Sequence, residues 1–211
     1  MANSLDRDSV KVLGPGEAPK HLNSGQVDLT FTGARWSGPI AFEEAGVTPA
    51  DMDYASIYDS FTITVLETLE DLGFCEVGQG GKFVSDGNLI AGEGKLPFNT
   101  DGGGLCSNHP INRGGLTKVL EAVRQLRDEA NPAVQVKDCQ LALAHGTGGS
   151  LGTRMSSSSV SVIWPISSCC GSSFKPGWPR QVTIIMVGIR NGWFSCLLYT
   201  SDAADEGLGV D

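Results

Sequence analysis

Asn99-Thr100-Asp101-Gly102-Gly103-Gly104-Leu105-Cys106-Ser107-Asn108-His109-Pro110-Ile111-Asn112-Arg113-Gly114-Gly115 decides how this chain is read. Three consecutive glycines lead to a His-Pro pair, and a glycine pair then opens an apolar helical pattern. Glycine lets backbone approach a ligand closely or take positive φ. Proline after His109 biases that histidine toward an extended backbone, which fixes where the imidazole points. Histidine is the side chain best suited to moving protons near neutral pH. The chain has 3 histidines, and a second one, His145, stands in a similar loop, Ala144-His145-Gly146-Thr147-Gly148-Gly149. Histidines set twice among glycines point to a site.

Outward from this stretch, apolar runs alternate with helical patterns. Residues 8–14 read as a strand. A helix is expected over 37–46, with Ile40, Ala41 and Ala45 on one face and Gly46 at the left-handed position past its end. Residues 49–51 mark a turn and 54–58 a short strand. An amphipathic helix over 60–72 carries Ile63, Leu66, Leu69 and Leu72 and stops at Gly73. Residues 78–97 form a glycine-rich excursion, long enough to be functional or to pack as an Ω-loop. Residues 114–129 are the clearest helix, with Leu116, Val119, Leu120, Val123 and Leu126 at helical spacing. Residues 140–144 are apolar enough for a central strand, and 160–164 pair beside it. Strands alternating with helices imply an α/β layered fold.

The net charge is −9 over 211 residues, and no run of basic residues appears. Phosphate contacts need clustered Lys and Arg, so nucleic acid is not an expected partner. The 6 cysteines show neither paired CxxC spacing nor the density of a disulfide scaffold. No metal set is expected, and Cys75 and Cys139 read as small core residues. The first twenty residues lack the apolar stretch of a signal peptide. The apolar run 182–187 is cut by Arg190 and Asn191, short of the ~20 residues of a membrane span. A reduced, cytoplasmic setting with no membrane contact is the expectation.

Residues 1–155 hold 12 of the 15 basic residues and 20 of the 24 acidic ones, and no Asp or Glu occurs from Cys139 through Ser201. A surface without acids over that length is poorly suited to an evolved domain. The expected division is therefore one domain over 1–164 and a tail, 165–211, that resembles a frameshifted translation. Within it, Cys196-Leu197-Leu198-Tyr199-Thr200-Ser201-Asp202-Ala203-Ala204-Asp205-Glu206 resembles one reading frame of a sequencing adapter.

Three loops fall at strand or helix ends, where ligands sit in open α/β sheets. They are Tyr58-Asp59-Ser60-Phe61, Asn108-His109-Pro110 and His145-Gly146-Thr147-Gly148-Gly149. In this order and spacing, over roughly residues 5–163, they resemble the C-terminal half of thiolase-superfamily proteins, the lipid-transfer or sterol-carrier type above all. The resemblance implies helices layered on a mixed five-stranded sheet. It also implies acyl transfer on lipid-type coenzyme A thioesters, with the thioester as substrate and no covalently bound cofactor.

In thiolases the nucleophilic cysteine lies in the N-terminal half, so this chain alone is expected to be inactive. The resemblance makes His109 general base and oxyanion partner. Tyr58 takes the place of the Asn or His that holds a catalytic water. His145 stands where thiolases carry a second acid/base cysteine. Asp59, Ser60, Gly103, Asn108, Gly148 and Gly149 are the expected substrate-binding positions, although Asp59 and Ser60 also suit an N-cap for the helix that follows. Two other functions fit the same resemblance: a retro-aldolase of steroid side-chain thioesters, or a non-catalytic lipid or acyl-CoA binding subunit. Expected partners are acyl-CoA, an N-terminal thiolase half, a second copy of the chain, and a zinc-ribbon/OB-fold protein.

Overall fold

The computed structural model describes residues 10, 12–20, 28–107, 114–147 and 157–165, with backbone only at 19, 20, 114 and 157–165. Residues 166–211 of the expected tail lie outside the described residues. The elements in chain order are β1 (Gly14–Lys20), α1 (Ala34–Ala45), a 3-10 turn (Pro49–Asp51), β2 (Tyr54–Ile57), α2 (Thr62–Asp71), α3 (Gly80–Ser85), α4 (Gly103–Cys106), α5 (Gly114–Leu126), β3 (Leu141–Thr147) and β4 (Ser157–Pro165). The strands form one sheet in the order β1-β4-β3-β2. β1 and β3 flank β4 antiparallel, while β2 runs parallel to β3.

The sheet has four strands among the described residues, where five were expected. The outer edge of β2 is instead taken by residues 97–99. They contribute one parallel bridge, Ala55 to Phe98, and backbone bonds from Ala55 N to Pro97 O and from Asn99 N to Ala55 O. Pairing stops there because Asn99 turns into the left-handed region at φ 40°. Its side chain then continues the ladder: Oδ1 accepts from Ile57 N at 2.9 Å and Nδ2 donates to Ile57 O at 2.8 Å.

Alternation along β2 and β3 sorts their side chains onto two faces. Ala55, Ile57 and Leu143 join Ala41, Phe42, Val65 and Leu69 in one core, under α1 and α2. Tyr54, Ala142 and Ala144 join Ala122 and Leu126 of α5 in the other. Helices therefore cover both faces of the sheet. The excursion 78–97 contains α3 and packs Phe83, Val84, Leu89 and Leu96 onto the first core.

β1 lies later than the strand expected over 8–14. Gly14-Pro15-Gly16-Glu17-Ala18-Pro19-Lys20 lacks the apolar alternation of a strand, yet α1 requires it. A Cβ built on Gly16 would lie 1.9 Å from Ser37 O, and one on Gly14 would lie 2.1 Å from Ala41 O. Glycine at both positions lets the helix backbone settle onto the strand. As the edge strand, β1 also tolerates prolines that cannot donate to a ladder.

Ala41 and Ala45 of α1, Leu69 of α2 and Leu72 at its end are buried as expected, but one isoleucine on each helix is not. Ile40 and Ile63 are exposed, while Ser37, Gly38 and Ala41 of α1 and Thr64, Val65, Thr68 and Leu69 of α2 turn inward. On α1 the close approach to β1 selects small residues over Ile40. On α5, Leu120 is exposed, and Lys118, Glu121 and Gln125 occupy the buried stripe beside Ala122 and Leu126.

Candidate active site

Parallel strands run toward the same side of a sheet, so Tyr58, the residue just past β2, lies beside His145, two residues before the end of β3. Tyr58 N donates to His145 O at 2.9 Å, one step beyond the Ile57–His145 register pair. The glycine turn that begins at Asn99 borders the other edge of β2. Three separate stretches of chain thus converge at the C-terminal end of two strands, the usual ligand position in open α/β sheets.

The turn is held by two carboxylates. Asp59, 5% exposed, accepts from Gly104 N through Oδ1 and from Leu105 N at 3.2 Å through Oδ2. Asp101 Oδ1 accepts from Gly103 N at 2.9 Å. The first backbone N–H groups of α4 are consumed by these bonds, as buried donors must be. Asp59 therefore caps α4, reached across 45 residues, and not the α2 helix that follows it in sequence. Gly103 sits at φ 66°, and a Cβ there would lie 2.3 Å from Asp59 Oδ2. Ser60 Oγ lies 3.3 Å from Thr64 Oγ1, whose hydroxyl donates to Phe61 O and accepts from Phe61 N at the start of α2.

Tyr58 is half-buried, and its phenol is pushed above the ordinary range, first by burial and then by the Asp59 charge. It stays protonated and can donate a hydrogen bond. His145 is 1% exposed, and burial pushes its imidazole down to about 3. It shares the sheet face of Ile57 and Leu143, under α2, because strand alternation repeats every second residue. Near neutral pH this imidazole is uncharged, able to donate or accept a hydrogen bond without carrying a charge.

His109, Asn108, Gly148 and Gly149 lie outside the described residues. The described residues on either side place Ser107 and Gly114 at the ends of α4 and α5. Cys139 is buried, and burial together with Asp53 pushes its thiol up, as suits a core residue. Cys75 is half-buried and Cys106 exposed. Among the described residues no helix is long and apolar enough to cross a membrane.

Asn99, Asp101, Lys118 and Glu121 support the site and carried no role in the sequence reading. An asparagine three residues before a glycine run suits a left-handed turn, the one local signal available. Lys118 and Glu121 gave none, because charged positions on an amphipathic helix ordinarily face water.

Residues 16–163 match the family model described as "Thiolase C-terminal domain-like". The chain is 37% identical over 128 residues to the acetyl-CoA acetyltransferase of Methanothermobacter thermautotrophicus, covering 61% of this chain and 32% of that protein. It is 41% identical over 112 residues to the 17-hydroxy-3-oxo-4-pregnene-20-carboxyl-CoA lyase of Mycobacterium tuberculosis, covering 53% of this chain and 28% of that one. Among solved structures it is similar to the "Ltp2-ChsH2(DUF35) aldolase", with a TM-score of 0.65 and 28% identity over 78% of this chain and 41% of that chain. The chain spans about a third of the length of these two relatives. A family match over residues 16–163, most of the chain, makes this chain a member of the thiolase C-terminal domain-like family.

Proposed function

We propose that this chain is the C-terminal half of a thiolase-like acyltransferase acting on lipid-type acyl-CoA thioesters. The observation that carries this reading is the convergence of Tyr58, Asp59, the glycine turn and His145 at one end of β2 and β3. In it, an N-terminal half supplies the cysteine nucleophile. His109 takes the thiol proton and faces the thioester oxygen. The Tyr58 phenol donates to a water or to the acyl group. His145, neutral in its buried position, orients the second reacting group by hydrogen bonding. Asn108, Ser60, Gly148 and Gly149 line the thioester, while Asp59 and Gly103 hold the turn that leads to His109. Coenzyme A enters as part of the substrate, and no covalent cofactor takes part. The protein acts in the cytoplasm as a dimer, with a zinc-ribbon/OB-fold protein as a further partner.

The test is release of free coenzyme A from acyl-CoA by the protein assembled with its N-terminal half. His109→Ala abolishes transfer and leaves the thermal midpoint within a degree or two. Unchanged turnover in that variant overturns the assignment.

A second reading, cleavage of a steroid side-chain thioester, is supported by the likeness to a steroid-CoA lyase and to an aldolase. A retro-aldol step removes the proton of the β-hydroxyl, breaks the carbon–carbon bond and leaves a ketone and a thioester enolate, which is then protonated. It requires no cysteine nucleophile. A ketone product from a β-hydroxyacyl-CoA, with no acyl transfer to free coenzyme A, selects this reading over the first.

A further inference from the structure

α5 turns a polar stripe toward the protein interior. Lys118, Glu121 and Gln125 recur at helical spacing and are 0%, 4% and 0% exposed. Buried charge is costly unless paired, so each of these groups needs a partner within reach. Lys118, Glu121 and Gln125 each find a partner in the glycine turn, and Gln125 also bonds residues 134–136. Lys118 Nζ donates to Asp101 Oδ1 at 3.3 Å, the same oxygen that accepts from Gly103 N. One helical turn on, Glu121 Oε1 accepts from Thr100 Oγ1 at 2.6 Å. Gln125 Nε2 then donates to Thr100 Oγ1 at 2.7 Å and to Val134 O at 3.1 Å. From the strand side, the Tyr54 hydroxyl accepts from Thr100 N at 3.3 Å.

We infer that Lys118 is a positioning residue, which with Glu121 clamps the glycine turn to α5 and so fixes both stems of the segment that carries His109. Resting on the acyl-transfer reading, the clamp acts on residues 100–101 and on α5, between which the base His109 lies in sequence. The clamp joins residues 100–101 to residues 118–125, and the chain between them runs from the end of α4 through His109 to the start of α5. A leucine stripe on α5 would supply burial, but it would leave the turn free to slide. Directional bonds to Thr100 and Asp101 admit one arrangement. Such specificity is the best-attested use of buried polar groups, whose contribution to stability is often small or negative.

A Lys118→Met variant leaves the Asp101 carboxylate beside the turn without its ammonium partner, and this variant is prone to misfold. The informative comparison is Lys118→Met combined with Asp101→Asn, which removes both charges together. In the protein assembled with its N-terminal half, the double variant recovers a thermal midpoint near that of the wild type. Its kcat stays at least tenfold low, with the KM for acyl-CoA within about twofold. If kcat returns along with the midpoint, the pair is merely structural and the inference falls.

A second measurement separates this inference from the acyl-transfer reading. Hydrogen exchange at the amides of Gly104 and Leu105, followed in this chain alone, rises at least tenfold in the double variant. Unchanged exchange overturns the clamp whatever the reaction is. Raised exchange in a protein that turns over no thioester keeps the clamp and rejects the reaction.

Discussion

Gly103 carries no side chain because Asp59 occupies the space one would need. A Cβ at Gly103 would stand 2.3 Å from Asp59 Oδ2, and the residue's φ of 66° is itself unfavourable for any L side chain. Asp59 is held there by donors from the next two residues, Gly104 and Leu105. The Asp59 loop and the glycine turn are thus one unit. Gly103→Ala costs roughly 1–2 kcal/mol from the left-handed backbone alone, and displacement of the carboxylate adds to it. A melting midpoint lowered by several degrees is expected, and an unchanged midpoint contradicts this geometry.

Replacing Asp59 by Asn keeps its size and one acceptor oxygen but turns the other terminal atom into a donor. Leu105 N and the new amide then face each other as two donors. Leaving a buried donor unmet costs about 1–3 kcal/mol. Urea denaturation is the suitable measurement, with a lower midpoint and an unchanged slope. A changed slope signals an altered denatured state and not a lost bond.

How much of this was legible depends on where each residue's partner lies in the chain. The end of α1 was read correctly from Gly46, which takes φ 68° and donates to Glu43 O, because a cap needs only its own helix. β4 was placed beside β3 from two apolar runs. Beyond Gly14, β1 is not legible as strand, since the composition of Gly14-Pro15-Gly16 answers to α1, some twenty-five residues later. Nor was Asp59 read as the cap of α4, since nothing near it in sequence reveals a donor 45 residues away. On α5, apolar periodicity located the helix, and the polar stripe was hidden because burial of charge is decided by the partner.

That account of β1 has its own test. Gly16→Ala forces a methyl against the carbonyl oxygen of Ser37, 1.9 Å from the ideal Cβ position. Backbone cannot yield as a flexible side chain does, so α1 must lift from the sheet. Overpacking of this kind typically costs 1–3 kcal/mol, so a loss of about 3 kcal/mol by urea titration is the expected outcome at a contact this tight. A loss below ~0.5 kcal/mol would show that the helix sits farther from β1.

Asn99 joins the strand edge to the glycine turn through one amide that both accepts from and donates to Ile57. Asn99→Asp preserves the left-handed propensity and the acceptor but sets a carboxylate oxygen against Ile57 O, 2.8 Å from the present donor. The expected loss is about 2–3 kcal/mol, the upper range for a buried group left without its bond. A gap to the wild type that closes when both are measured at pH 4, where the acid can carry a proton and donate, would identify this contact as the cause.

His145 makes the fold sensitive to acid. Its imidazole titrates at about 3 in the folded chain because burial opposes the charged form, against about 6.5 when unfolded. The unfolded chain therefore binds the extra proton between those values. Stability contributed by neutral burial is complete above pH 6.5 and is lost as pH falls toward 3, at about 1.4 kcal/mol per pH unit. His145→Gln removes this titration. Between pH 6.5 and 5 the wild-type chain should lose about 2 kcal/mol more than the variant, read from urea midpoints at each pH. Parallel pH dependences would mean that His145 meets water or a carboxylate, and an imidazole so placed could carry a proton in catalysis. A steeper wild-type slope confines its part in the reaction to that of a neutral hydrogen-bonding group.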